Sequence, residues 1–166
     1  GAQKGQLTIF CGGHQVDFER AKPLLDCYAK RAALVGPPGA GQQMKMANQI
    51  AVGGALIALC ESLAYAKKAG LDVSLTREMV GGGSGGSWAF ENYGPKILAE
   101  DWSPGFSVKN QRKDFGYCAS AAKEIDAAIP MTLLVDRLLA ELDRQGRSEQ
   151  TTAALYDVLI NSGFEE

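Results

Sequence analysis

The sequence predicts a mainly α-helical chain preceded by a short β-α-β segment. Three observations carry this. Apolar residues recur at helical spacing through most of the chain after Gly36. Before it, two short β-branched and apolar stretches flank one helical window. Glycines close the long helical windows, as at Gly70 and Gly146. Two short strands are too few for an independent sheet domain. Residues 1–35 therefore read as the end of a larger α/β domain whose beginning is absent, and 36–166 as an all-helical domain.

Each element has a local reason. Leu7-Thr8-Ile9-Phe10-Cys11 is β-branched and apolar and stops at Gly12-Gly13, which predicts a strand. Phe18, Ala21, Leu24, Leu25 and Tyr28 predict a helix over Asp17–Arg31, with Pro23 starting or bending it. Ala32–Val35 follows as a short strand. Gly41 to Ala69 is one long helix ended by Gly70. Asp72 or Ser74 caps a short helix to Val80, and Gly81–Gly86 is a loop. Ser87–Ala99 is a helix disturbed at Pro95, and Ser107–Ala127 is the next. Pro130 opens a helix to Gln145, where Leu134 and Leu138 with Val135, Leu139 and Leu142 form an apolar stripe. Ser148 caps a last helix to Ile160, with Thr151 and Thr152 as weak formers inside it.

Composition excludes several functions. Net charge is −2 and pI about 5.5, against the basic excess of a nucleic-acid binder or a membrane-surface protein. The apolar run Ile50–Cys60 is shorter than a bilayer span and broken by Gly53-Gly54, so no membrane partner is expected. Cys11, Cys27, Cys60 and Cys118 lie far apart with no C-x-x-C, and the single histidine is His14. No metal site and a reduced, cytoplasmic protein are expected from that pattern.

Two glycine motifs mislead. Gly36-Pro-Pro-Gly-Ala-Gly41 has the spacing of a phosphate loop, but Gln42 and Gln43 stand where lysine and serine or threonine are needed. Gly81, Gly83 and Gly86 satisfy G-x-G-x-x-G, but a helix rather than a strand precedes them. The first reads as a tight loop that opens a helix N-terminus, whose free amides attract an anion, and the second as a flexible interhelical connection that lets backbones approach.

Lys45 is the residue with chemistry to offer. It lies about one turn into the long helix, and Asn48 and Gln49 follow on the same face. A lysine acts as general acid or base when burial or a neighbouring cation lowers its pKa. An amide beside it holds a substrate oxygen. Spacing alone favours a solvated surface lysine near a helix start, where the helix dipole mildly opposes it.

The segment Gly36-Pro-Pro-Gly-Ala-Gly-Gln-Gln-Met-Lys45-Met-Ala-Asn48-Gln49 resembles the interdomain motif of the β-hydroxyacid dehydrogenases. That family includes 3-hydroxyisobutyrate dehydrogenase, tartronate semialdehyde (2-hydroxy-3-oxopropionate) reductase and, more distantly, 6-phosphogluconate dehydrogenase. Further segments are similar in the same order: Gly5-Gln6-Leu7-Thr8-Ile9 with Gly12-Gly13, Ala69-Gly70-Leu71-Asp72, Gly83-Ser84-Gly85-Gly86-Ser87-Trp88, Pro104-Gly105-Phe106 and Lys113-Asp114. The resemblance implies a helical bundle like the C-terminal domain of 6-phosphogluconate dehydrogenase, after a Rossmann remnant over 1–35. It implies NAD or NADP as cofactor, a small hydroxyacid as substrate and Lys45 as the catalytic proton carrier. Asn48 or Gln49 is the substrate amide, with Trp88 on the substrate side. Lys113, Phe106 and Asp114 fall on the cofactor side. The family's glycine fingerprint and its serine-glycine-glycine loop lie before Gly1, so this chain alone is expected to be inactive. The other reading is a helical domain that only assembles copies of the protein into a homo-oligomer.

Overall fold

In the computed structural model, which describes residues 2–163, the chain forms two compact units, one up to Asn48 and one from Gln49 onward. The first unit begins with a 3-10 turn, Ala2–Lys4. It then contains β1 (Leu7–Gly12), α1 (Gln15–Leu25), β2 (Ala29–Gly36) and the first turns of α2 (Ala40–Lys68). β1 and β2 pair in parallel, with Leu7 opposite Ala29 and Phe10 opposite Ala33. This is the predicted β-α-β unit. Its helix ends six residues before Arg31, and Ala29–Arg31 belong to β2 instead. Pro23 explains the early end. It donates no hydrogen bond, and the chain then tightens, with Cys27 N–H donating to Leu24 and Tyr28 N–H to Leu25.

The second unit holds the rest of α2, then α3 (Val73–Gly81), α4 (Trp88–Asn92), α5 (Gly94–Leu98), α6 (Val108–Glu124), α7 (Pro130–Arg144) and α8 (Leu155–Asn161). Its core is Leu56, Leu59, Cys60 and Leu63 of α2 against Phe90, Phe115, Val135, Leu139, Leu142 and Leu155, all at most 2% exposed. The stripe on α7 divides accordingly: Val135, Leu139 and Leu142 are buried, while Leu134 is on the outside. α2 is 29 residues long, and by length and composition it is apolar enough to cross a membrane, which the shorter run Ile50–Cys60 did not suggest. Its buried leucines make it the core helix of this unit.

Caps set most boundaries. Asp72 accepts from Leu75 N–H at 2.9 Å, which settles the choice between Asp72 and Ser74. Ser87 and Ser107 cap α4 and α6 in the same way. Gly70 and Gly146, at φ +75° and +74°, follow the ends of α2 and α7. Two expectations are corrected. The helix over Ser87–Ala99 is two short helices that meet at Tyr93, with Pro95 in the first turn of the second. The helix from Ser148 is only α8, preceded by a 3-10 turn over Thr152–Ala154. Thr151 instead pairs with Ser107, and Thr152 N–H donates to Phe106 O at 3.1 Å. Ser148 bonds Asp143 rather than capping a helix.

Candidate active site

Because β1 and β2 are parallel, their carboxyl ends fall on one edge of the first unit. A cavity of about 320 Å³ opens there. Phe10 and Gly12 line it from the end of β1, and Gly39, Gly41, Gln42 and Lys45 line it from the loop and first turns of α2. Open α/β sheets bind ligands in this position, outside the carboxyl ends of the strands. Glycine is required for the wall. A Cβ on Gly12 would stand 2.8 Å from both Gly41 N and Pro37 O, and one on Gly41 would stand 2.6 Å from Phe10 O. The strand end and the helix start therefore touch backbone to backbone, and Lys45 is half-buried just beyond. Gly39, at φ +93°, makes the turn that starts the helix, and a Cβ there would project into open space.

The second unit groups other predicted residues. Gln49 is 2% exposed, and its Nε2 donates to Asp114 Oδ2 at 2.8 Å. Asp114 Oδ1 lies 3.4 Å from Lys113 Nζ, and that ammonium is 6.0 Å from the centre of the Tyr117 ring. Trp88 is 63% exposed, so it is not the core residue that an aromatic at this spacing often is. Its ring meets the Tyr93 ring edge to face at 5.3 Å. Phe106 is half-buried, with its carbonyl tied to Thr152. Asn48, the last residue of the first unit, is half-buried on α2.

Sequence reasoning singled out Lys45 but not Phe10, Gly12, Gly39, Gly41 and Gln42 as the cavity around it. The glycines after β1 and before α2 were the available signal. Nothing local announced the Gln49–Asp114 bond, which joins residues 65 apart in the chain.

Residues 39–159 match the family model described as NAD-binding of NADP-dependent 3-hydroxyisobutyrate dehydrogenase. Residues 1–36 match the NAD binding domain of 6-phosphogluconate dehydrogenase. The chain belongs to the hydroxyacid dehydrogenase family that the first of these models defines. It is 35% identical over 159 residues to 2-hydroxy-3-oxopropionate reductase of Escherichia coli K12, covering 96% of this chain and 54% of that one. It is 37% identical over 155 residues to "Probable 3-hydroxyisobutyrate dehydrogenase-like 1, mitochondrial" of Arabidopsis thaliana, covering 93% and 46%. The crystal structure of 3-hydroxyisobutyrate dehydrogenase from Salmonella typhimurium superposes with a TM-score of 0.88 at 27% identity, covering 95% of this chain and 55% of that one. The chain spans about half the length of the curated relatives it matches.

Proposed function

We propose that this chain is the C-terminal part of an NAD(P)-dependent dehydrogenase or reductase of small carboxylate-bearing hydroxyacids, of the 3-hydroxyisobutyrate or 2-hydroxy-3-oxopropionate class. Residues 1–35 then close a Rossmann domain, and 36–166 form the substrate and dimerisation domain. The observation that carries this reading is the placement of Lys45 in the cavity at the carboxyl ends of β1 and β2. The cavity offers a cofactor ring backbone at Gly12, Gly39 and Gly41 beside the side chains of Phe10, Gln42 and Lys45.

Bound NAD(P) supplies or accepts the hydride. Lys45 carries the proton that balances it, giving it to the substrate carbonyl oxygen in reduction and taking it from the hydroxyl in oxidation. Asn48 and Gln49 offer amides from the next turn of α2 to a substrate oxygen, with the Gln49 NH₂ on Asp114 and its carbonyl end the acceptor for a hydroxyl, and Trp88 lines the substrate side. Lys113 and Phe106 serve the cofactor side, where an ammonium suits a phosphate. Replacing Lys45 with Ala in the polypeptide as its source makes it should cut turnover by roughly 10²–10⁴-fold, the usual worth of a positioned acid–base group. Turnover within a factor of a few of wild type would remove Lys45 from the mechanism.

A second role, assembly into a homo-oligomer through the helical domain, is supported by one observation. Leu71, Leu75 and Met79 succeed one another at four-residue steps and are 56%, 57% and 68% exposed.

A further inference from the structure

The resemblance groups Asp114 with the cofactor residues. The geometry points elsewhere: we propose that Asp114 is a positioning residue that acts through Gln49. This rests on reading the Gln49 amide as a substrate-binding group.

Three observations support it. Asp114 is a carboxylate, an acceptor only, so the bond at 2.8 Å fixes which end of the Gln49 amide faces α6: the NH₂ points at Asp114. The other oxygen of Asp114 is already beside Lys113 Nζ, and the side chain is only 14% exposed. A carboxylate so placed repels a cofactor phosphate; it is suited to hold its neighbours. Finally, the bond has a rigid foundation one turn further along α2. A Cβ on Gly53 would lie 2.6 Å from Phe115 Cζ, so only glycine lets the ring of Phe115 seat against α2. Phe115 is 2% exposed and follows Asp114 directly on α6. The Gly53–Phe115 contact thus sets the approach of the helices, and Gln49–Asp114 uses it to orient a buried amide.

The test separates this role from cofactor contact. In the polypeptide as its source makes it, Gln49→Ala and Asp114→Ala should each raise the hydroxyacid KM about tenfold, the scale of one lost buried hydrogen bond. The double variant should be no worse than either single one, because both remove the same contact. Asp114→Asn keeps an acceptor for Gln49 and should restore most of the loss. Additive losses, or an Asp114→Ala variant that raises the KM for NAD(P)H and leaves that for the hydroxyacid alone, would overturn the assignment. A second readout needs no turnover. In the isotope-labelled 166-residue chain, the side-chain NH₂ signals of Gln49 should shift in Asp114→Ala and return toward their original position in Asp114→Asn. Signals that stay in place in Asp114→Ala would overturn it too. A wild-type protein without hydroxyacid turnover would sink the functional reading alone, and the amide signals would then decide this one.

Discussion

A Cβ on Gly53 would meet the closed ring of a buried phenylalanine, whereas one on Gly54 would meet the tip of Met131, its Cε 3.3 Å away. These neighbours in α2 therefore differ in what they tolerate. Alanine favours a helix over glycine by about 1 kcal/mol. At Gly54 the flexible Met131 side chain gives way and that gain is kept. At Gly53 the Phe115 ring has nowhere to go, and overpacking costs about 1–3 kcal/mol. Gly54→Ala should be neutral or stabilising and Gly53→Ala destabilising, read as opposite shifts of the denaturant midpoint. Equal shifts would contradict the packing. The pair that breaks the apolar run in the sequence is thus a place of close helix approach within the chain, to α6 and α7. The position of Lys45 just after the glycine loop, on the first turns of α2, was legible because that pattern is local. The Asp114 contact was not, because nothing in residues 40–60 specifies which turn of α6 will face them.

At the scale of elements, boundaries written in short-range chemistry were readable and those decided by distant partners were not. Asp72, Ser87 and Ser107 each act on the amide three residues ahead, and Gly70 and Gly146 on the carbonyls just behind. Thr151 and Thr152 are β-branched residues whose place is set by Phe106 and Ser107, more than forty residues earlier. The segment after α5 shows the same dependence on partners. Lys96 Nζ, on α5, donates to Asp101 Oδ2 at 2.8 Å, and Ser103 N–H donates to Oδ1 at 3.0 Å. The Lys96 bond first, and then those from Ser103, hold the Asp101 carboxyl well below the usual carboxylate range. A depressed folded-state pKa stabilises the fold above the unfolded value of about 3.9 and is lost as pH falls through the folded value. The difference in Tm between wild type and Asp101→Asn should therefore be full near neutral pH and shrink once pH drops below about 4. A difference that grows on acidification would have the wrong sign for this bond.

For the molecule as a whole, a mainly helical chain after a β-α-β segment was legible because the alternation of strand and helix spacing ends near Gly36, after which the apolar spacing is helical. The outer face of α3 was not singled out by that pattern. If Leu71, Leu75 and Met79 are the assembly surface, light scattering on wild type should give a multiple of 17.6 kDa at high concentration. Leu75→Glu with Met79→Glu should lower it toward the single-chain mass, since burying like charges across a twofold contact is costly. A wild type that stays at the single-chain mass throughout would dispose of the assembly reading.

The exposure of Trp88 has a practical consequence. The chain carries two tryptophans, and this one stands open to water beside the Tyr93 ring. With that exposure its emission should be that of a hydrated indole, open to a dissolved quencher, and a ligand settling over it should displace the water around it. The loop it terminates is thus followed by an optical probe already built into the polypeptide. Binding on that side of the second unit registers as a change of colour and brightness in unlabelled protein, with Trp88→Phe as the blank.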